Sequence, residues 1–97
     1  MFLKIHRSPN TGDIVAVCDR ELLNTTIING DIEVRISEAF YGNHRASEEE
    51  VRDALSHADN ANLMGERAVA LAIEMGLVTR PGCIMFGTVP HAIIFRM

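Results

Sequence analysis

Apolar and polar residues alternate at the start of the chain, and the alternation predicts a β-hairpin. Residues 2–7 place Leu3 and Ile5 on one face, with the two-residue period of a half-buried strand. Residues 14–18 are apolar on both faces, which favours a strand nearer the centre of a sheet. Turn-forming residues fill the interval 8–13, so the pattern indicates two adjacent strands joined by a turn.

Three elements are predicted between this hairpin and the first long helix. Asp19 can cap a short helical turn through residues 22–23, because its carboxylate accepts from backbone N–H groups that a first turn leaves unpaired. Residues 31–37 alternate between β-branched and mainly charged side chains and predict the third strand. Residues 39–45, which include the single tyrosine of the chain, are predicted to form a loop.

Two helices are predicted in tandem. Ser47 and Glu50 form a capping box at the start of the first, where each side chain accepts from the backbone N–H of the other residue. The second is a nearly all-apolar helix over residues 60–75, which ends at Gly76. Gly65 lies inside it and lowers the helix propensity by about 1 kcal/mol relative to Ala. Its presence indicates a close approach by another backbone segment or by a ligand.

The last segments predict a second hairpin and complete the fold. Residues 83–86 and 92–96 have β-type sequences on either side of a turn at residues 87–90. The element order is then β-β-β-α-α-β-β. This order predicts an α+β fold with a small, mainly antiparallel sheet and two helices packed on one face. A length of 97 residues fits a single domain over residues 1–97.

Composition favours a folded protein of the cytoplasm. Hydrophobic residues make up 47% of the chain and charged residues 23%, which provides apolar surface for a core. The longest apolar run, residues 68–73, is far shorter than the ~20 residues of a membrane span, and the N-terminus lacks a signal-peptide pattern. Cys18 and Cys83 have no metal-ligand spacing around them, so we expect buried, reduced thiols.

Net charge limits the binding of nucleic acids without excluding it. The formal net charge of −4 argues against a general affinity for phosphates. The imbalance is local, because residues 47–59 contain five acidic residues and one arginine. The rest of the chain is therefore neutral overall.

Glu66 and Arg67 are the most informative charged residues. Both lie in apolar sequence, and neither has an opposite charge three or four residues away. Either they tie the helix to strand ends and loop carbonyls, or they line a pocket with Asn62 that takes an anionic or polar ligand. His91 follows Pro90 in a predicted loop, where it is structural or solvated, or pairs with Glu66 as acid and base.

Signatures of common catalytic and metal sites are missing from the sequence. It contains no P-loop, no G-x-G-x-x-G, no G-x-S-x-G and no H-E-x-x-H. His6, His44 and His57 lack the spacing of metal ligands. We therefore predict no catalytic residue, no cofactor and no metal, and the sequence leaves open whether the protein is an enzyme.

Four segments carry a resemblance to a known family: Ala16-Val17-Cys18-Asp19-x-Glu21-Leu22-Leu23, Phe40-Tyr41-Gly42, Ala61-Asn62-Leu63-Met64-Gly65-Glu66-Arg67-Ala68-Val69 and Val89-Pro90-His91-Ala92. Together they resemble an archaeal family called domain of unknown function 424, over essentially the whole chain. The resemblance implies a cytosolic archaeal protein and carries no established activity. It marks six residues without giving them a role: Asn62, Gly65, Glu66, Arg67, Pro90 and His91.

Three hypotheses for function follow, none of which places the protein in a membrane. The first is a non-catalytic binding module linked to RNA or to a translation-associated protein. Its RNA contacts would be Tyr41, His44 and Arg45. The second is a small-molecule or nucleotide site, with or without enzymatic activity, built from Asn62, Gly65, Glu66, Arg67 and His91. The third is a homo-oligomer in which an edge strand of a terminal hairpin pairs across a two-fold axis.

Overall fold

The computed structural model describes residues 1–10 and 12–95 of the chain. Its regular elements, in chain order, are β1 (Phe2–His6), β2 (Ile14–Cys18), β3 (Thr25–Asn29), β4 (Ile32–Ile36), α1 (Glu38–Tyr41), α2 (Glu48–Ser56), β5 (Asn60–Met64), α3 (Glu66–Glu74), β6 (Ile84–Phe86) and β7 (Val89–Phe95). A five-stranded sheet has the order β1-β2-β5-β7-β6, and β3 and β4 form a separate hairpin. Within these described strands, neighbours are antiparallel except for β2 and β5. The predicted α+β class with a mainly antiparallel sheet is confirmed.

Local sequence signals are confirmed at both predicted hairpins and at the first long helix. β1 and β2 pair as expected, although Thr11 of the predicted turn lies outside the described residues. The capping box of α2 is present, with Ser47 Oγ accepting from the Glu50 amide at 3.1 Å. The turn between β6 and β7 is shorter than predicted, so Val89 and Pro90 belong to β7. The predicted end of that strand at Arg96 lies outside the described residues.

The predicted helix over residues 60–75 is wrong in its first part. Residues Asn60–Met64 form β5, a strand with neighbours on both sides, and the helix begins only after Gly65. A short apolar run reads equally well as a buried strand or a buried helix, because both faces of a central strand are covered. Gly65 marks the change of direction, since its φ of +112° is one that L side chains rarely adopt.

Two further elements differ from the prediction. The strand predicted at residues 31–37 is β4, and it pairs with β3, which the sequence pattern did not indicate. The helix α1 takes the first part of the predicted loop 39–45, because Ser37 accepts from the Phe40 amide and caps it. The turn after Asp19 does form, as a 3-10 turn over Arg20–Leu22, but the Asp19 side chain does not cap it.

The main core lies between one face of the sheet and the two longer helices. α2 and α3 both pack on this first face, as predicted. Val17 and Leu63 of the sheet, Leu55 of α2 and Val69 of α3 are fully buried in this core. The apolar sides of both helices are therefore used for packing.

The second face of the sheet is covered over only part of its area. Ile36 of β4 and Tyr41 of α1 are buried there against Cys18 and Met64. Burial raises the pKa of the Cys18 thiol to about 11. Both cysteines are free, but Cys83 is only partly buried, contrary to expectation. None of the helices in the described part of the chain is long and apolar enough to cross a membrane.

Candidate functional site

Asn62 lies at the centre of a polar cluster on the second face of the sheet. Tyr41 donates its hydroxyl hydrogen to Asn62 Oδ1 at 2.8 Å, and His91 Nε2 lies 3.3 Å from the same oxygen. Since a carboxamide oxygen only accepts, this contact assigns the hydrogen of the imidazole to Nε2 and leaves Nδ1 as an acceptor. We call Tyr41, Asn62 and His91 the polar cluster.

Three elements bring the polar cluster together. Asn62 is the middle residue of β5, and antiparallel pairing with β7 puts His91 on the same face, opposite Met64. Tyr41 comes from α1, which ends at Gly42 with a φ of +74°. Two of the three residues were predicted as ligand contacts and the third as an RNA contact, and the structure places all three in one network.

Burial keeps the polar cluster uncharged. It raises the pKa of the Tyr41 hydroxyl and lowers the pKa of His91 below its ordinary value. Both side chains are therefore neutral near pH 7. His91 Nδ1 is buried and has no hydrogen-bond partner among the described residues, so it is not accessible to a substrate. The cluster offers hydrogen bonding and rigidity, and no activated nucleophile.

A groove of about 370 Å³ runs beside the polar cluster on the same face. It is lined by Ile14, Phe40, Asn60, Ala61, Asn62, Ile93, Ile94 and Phe95. None of these residues carries a formal charge. Asn60 Oδ1 is buried beside the groove without a hydrogen-bond partner among the described residues. Phe40 stacks on His6, with 4.9 Å between the ring centroids.

Large apolar side chains are exposed next to the groove. Ile84, Ile93 and Phe95 are 56%, 62% and 71% exposed. They share the second face, because they belong to the cross-strand pairs that contain His91, Asn62 and Asn60. We call these three residues the open patch.

Glu66 and Arg67 lie apart from the polar cluster, at the start of α3. Arg80 bonds both carboxylate oxygens of Glu66, at 2.9 and 3.2 Å, and Arg67 bonds Glu21 at 2.8 Å. All four side chains are at least half exposed. No hydrogen bond in the described part of the chain joins Glu66 or Arg67 to Asn62 or His91. Their partners come from neighbouring loops.

Asp19 is the residue with the largest structural role that the sequence did not reveal. Its carboxylate oxygens accept from the Arg67 and Ala68 amides at 3.0 and 2.9 Å, so it caps α3 across the sheet. Burial raises the pKa of Asp19, and the two amide bonds oppose that shift. The close approach at Gly65 is made by this side-chain carboxylate, and not by a backbone segment or a ligand as expected, since an added Cβ would lie 2.4 Å from Asp19 Cγ. Asp19 and Gly65 are neighbours because β2 and β5 pair in parallel, which places the carboxyl ends of the two strands side by side. The sequence pattern does not show this pairing.

The loop proposed to contact RNA is only partly accessible. Tyr41 is 4% exposed, so a base cannot stack on its ring in this conformation. His44 bonds Glu50 at 2.9 Å, and Arg45 is exposed beside Phe2 at the edge of β1. The described residues contain no group of three or more His, Cys, Asp or Glu side chains that could hold a metal ion.

Comparison with known proteins gives the family and an independent view of the fold. No curated protein matches this chain. The crystal structure of an uncharacterized conserved protein from Methanopyrus kandleri superposes with a TM-score of 0.79, at 24% identity, over 99% of this chain and 92% of that chain. At this identity the likeness shows a shared fold. Residues 6–97 match the family described as a protein of unknown function, DUF424, which confirms the resemblance noted in the sequence. The chain belongs to the DUF424 family.

Proposed function

We propose that this protein is a non-catalytic binding module that holds a protein partner against the open patch. The observation that carries the proposal is the exposure of Ile84, Ile93 and Phe95 on one face of the sheet, next to an uncharged groove. Exposed apolar side chains grouped in this way mark interaction surfaces, because water contact with them is unfavourable. The paired strands β6 and β7 present these side chains on the same face of one sheet.

The charge distribution favours a protein partner over RNA. RNA backbones are bound through cationic side chains, and Arg7, Arg52, Arg67 and Arg80 are each paired with a carboxylate. The formal net charge of −4 opposes phosphate binding further. A translation-associated protein, expected from the sequence, falls within the proposed class of partner. The proposal places the protein in the cytoplasm, as expected from the sequence, because both cysteines are free thiols.

A small-molecule site at the start of α3 has less support than the open patch. An anionic ligand would need the first-turn amides of α3, and the Asp19 carboxylate already occupies the amides of Arg67 and Ala68. The guanidinium of Arg67 is likewise bonded to Glu21. The groups that made this site attractive in the sequence are satisfied within the protein.

Capture of the partner tests the proposal. Tagged wild-type protein, the double variant Ile93→Glu/Phe95→Glu and the control Ile28→Glu are incubated with extract of cells that express the protein naturally. Ile28 is 70% exposed on β3 and is not one of the three residues of the open patch, so it matches the change of an exposed apolar side chain to Glu. We expect one defined protein to be enriched by wild type and by Ile28→Glu, and to fall at least about tenfold with the double variant.

Circular dichroism of the three proteins verifies that each is folded. Equal recovery of the same protein by the double variant would contradict the proposal. Recovery of a species that is lost after nuclease treatment would replace the protein partner by RNA.

A further inference from the structure

We infer that the groove beside the polar cluster binds an uncharged planar heterocycle with carbonyl acceptors, of the kind found in nucleobases. The side-chain amides of Asn60 and Asn62 would donate to the carbonyl oxygens of this ligand, and its ring would lie between the apolar walls of the groove. The groove adjoins the open patch, but its ligand is a small molecule that needs no protein partner. The inference therefore goes beyond the proposed function.

The polar cluster fixes the orientation of the Asn62 carboxamide. Asn62 Oδ1 accepts from the Tyr41 hydroxyl at 2.8 Å and from His91 Nε2 at 3.3 Å, so both of its lone pairs are used. Asn62 lines the groove, whereas neither Tyr41 nor His91 does. The carboxamide therefore directs its oxygen into the polar cluster and its nitrogen toward the groove. Side chains that lock a binding group in this way are typical of the support around a ligand site.

The amide nitrogen of Asn62 is an unused hydrogen-bond donor. Among the described residues it has no hydrogen-bond partner, and it is not one of the side-chain atoms shielded from solvent. Asn60 lies two residues earlier on the same face of β5. Its Oδ1 is the buried atom of the carboxamide, so its nitrogen is the atom that a ligand can reach. Two amide nitrogens therefore face the groove, and a nitrogen of this kind can only donate.

The rest of the groove selects a neutral and flat ligand. None of the lining residues carries a formal charge, which disfavours a nucleotide, because phosphates are bound through cationic side chains. Ile14 and Ile93 stand on the two strands that flank β5, and Phe40 of α1 adds an aromatic wall. The volume of about 370 Å³ lies at the lower end of the range of small-molecule sites and leaves room for a bicyclic ring.

Two bicyclic compounds of the same size test the inference on the purified protein. Quinazolinedione carries two carbonyl acceptors, and diaminoquinazoline carries amino donors at the same two positions. The titrations are followed in proton–nitrogen NMR spectra, where the side-chain amides of Asn60 and Asn62 give separate signals. We expect quinazolinedione to shift both signals to saturation. Diaminoquinazoline should bind at least about tenfold more weakly, because its amino groups face the donors of the protein.

Asn62→Asp is the matched change in the protein. It keeps an oxygen for Tyr41 and His91 and replaces the amide donor by a second acceptor. We expect this variant to bind quinazolinedione at least about tenfold more weakly than wild type and to bind diaminoquinazoline more tightly. Asn43→Asp makes the same change at an exposed position outside the groove, and it should bind both compounds as wild type does.

Thermal unfolding verifies that each variant is folded. Asn60→Asp lies outside the polar cluster and repeats the exchange of donor for acceptor at the second amide, so the test does not depend on one variant. The inference fails if the two amide signals do not saturate, if wild type binds both compounds equally, or if Asn62→Asp and Asn43→Asp bind quinazolinedione equally. A single-stranded RNA that shifts the same signals at a lower concentration than quinazolinedione would overturn the free ligand in favour of a base within RNA.

The titration and the capture experiment give independent answers. The titration contains no partner protein, so its failure leaves the proposed function standing. Failure to capture a protein on wild type would equally leave the ligand site in place.

Discussion

Asp19 and Gly65 form a unit in which each residue requires the other. Asp19 is 3% exposed, and its carboxylate accepts from the Arg67 and Ala68 amides. It approaches residue 65 so closely that a Cβ there would lie 2.4 Å from Asp19 Cγ. Glycine is needed both for this approach and for the φ of +112°. Because Gly65 permits this approach, the Asp19 carboxylate caps the start of α3, whose N-cap residue has no side chain to do so.

A double-mutant cycle measures this unit. We expect Asp19→Ala to lower the free energy of unfolding by roughly 2 to 4 kcal/mol, because two first-turn amides lose their acceptors. Gly65→Ala should lower it by at least about 2 kcal/mol alone and by less in the Asp19→Ala background, where the clash is gone. Urea unfolding of the four proteins provides the values. Strict additivity of the two changes would show that the residues act independently.

His91 gives a pH dependence of stability with a defined sign. Burial lowers the folded-state pKa of His91, so the unfolded chain binds the proton first. The stability contributed by the neutral ring is fully present above its ordinary pKa of about 6.5 and is lost as the pH falls through the folded-state pKa. We expect the free energy of unfolding of His91→Phe to fall less than that of wild type when the pH is lowered from about 7.5 to about 5.

Urea unfolding at several pH values across this interval verifies the His91 prediction. His57→Gln is the control, because the side chain of His57 is 76% exposed and lies outside the polar cluster. The free energy of unfolding of the control should fall with pH as steeply as that of wild type. An equally steep fall in His91→Phe would refute the prediction.

At the scale of elements, the sequence predicted structures that depend on neighbouring residues and missed strands that are defined by pairing with another segment. The β1–β2 hairpin and the capping box of α2 depend on residues close together in the sequence, and both were predicted. β5 was hidden, because residues Asn60–Met64 and the following helix form one apolar stretch. Its strand character comes from pairing with β2 and β7, which are distant in sequence. β3 was missed for the same reason, since only its pairing with β4 defines it.

The helix α3 carries both exposed ion-paired residues and a fully buried residue, so the contributions of surface charge and of packing to stability can be compared within one element. Glu66→Gln and Arg67→Gln should each change the free energy of unfolding by less than about 1 kcal/mol, because their ion pairs are exposed to solvent. Val69→Ala should lower it by about 2 to 3 kcal/mol, because Val69 is fully buried in the same helix. Thermal unfolding of the three variants makes the comparison. A larger loss for Glu66→Gln than for Val69→Ala would reverse this ranking of charge and packing.

At the scale of the whole molecule, the structure separates candidate site residues that the sequence analysis placed together. Asn62 and His91 were assigned to one site with Glu66 and Arg67, but the structure joins them to Tyr41 on the second face of the sheet, whereas α3 packs on the first face. Which face of a sheet a residue occupies depends on register, and register follows from pairing that the sequence does not display. The open patch was unreadable for the same reason. An exposed Ile or Phe looks like a core residue until the layers of the fold are known.

The charge distribution of the molecule predicts how partner binding responds to salt. The groove lining is uncharged, and the open patch is apolar, so binding there should owe little to ion pairs. Retention of the captured protein on immobilised wild type should therefore change less than about twofold between about 50 mM and 500 mM salt. An RNA-binding surface would instead lose affinity by orders of magnitude, because counterions return to the phosphates.

Arg45→Gln is the matched control, since Arg45 is an exposed cation outside the patch, and it should leave retention unchanged at both salt concentrations. A steep loss with salt that Arg45→Gln reduces would move the binding surface to the loop between α1 and α2.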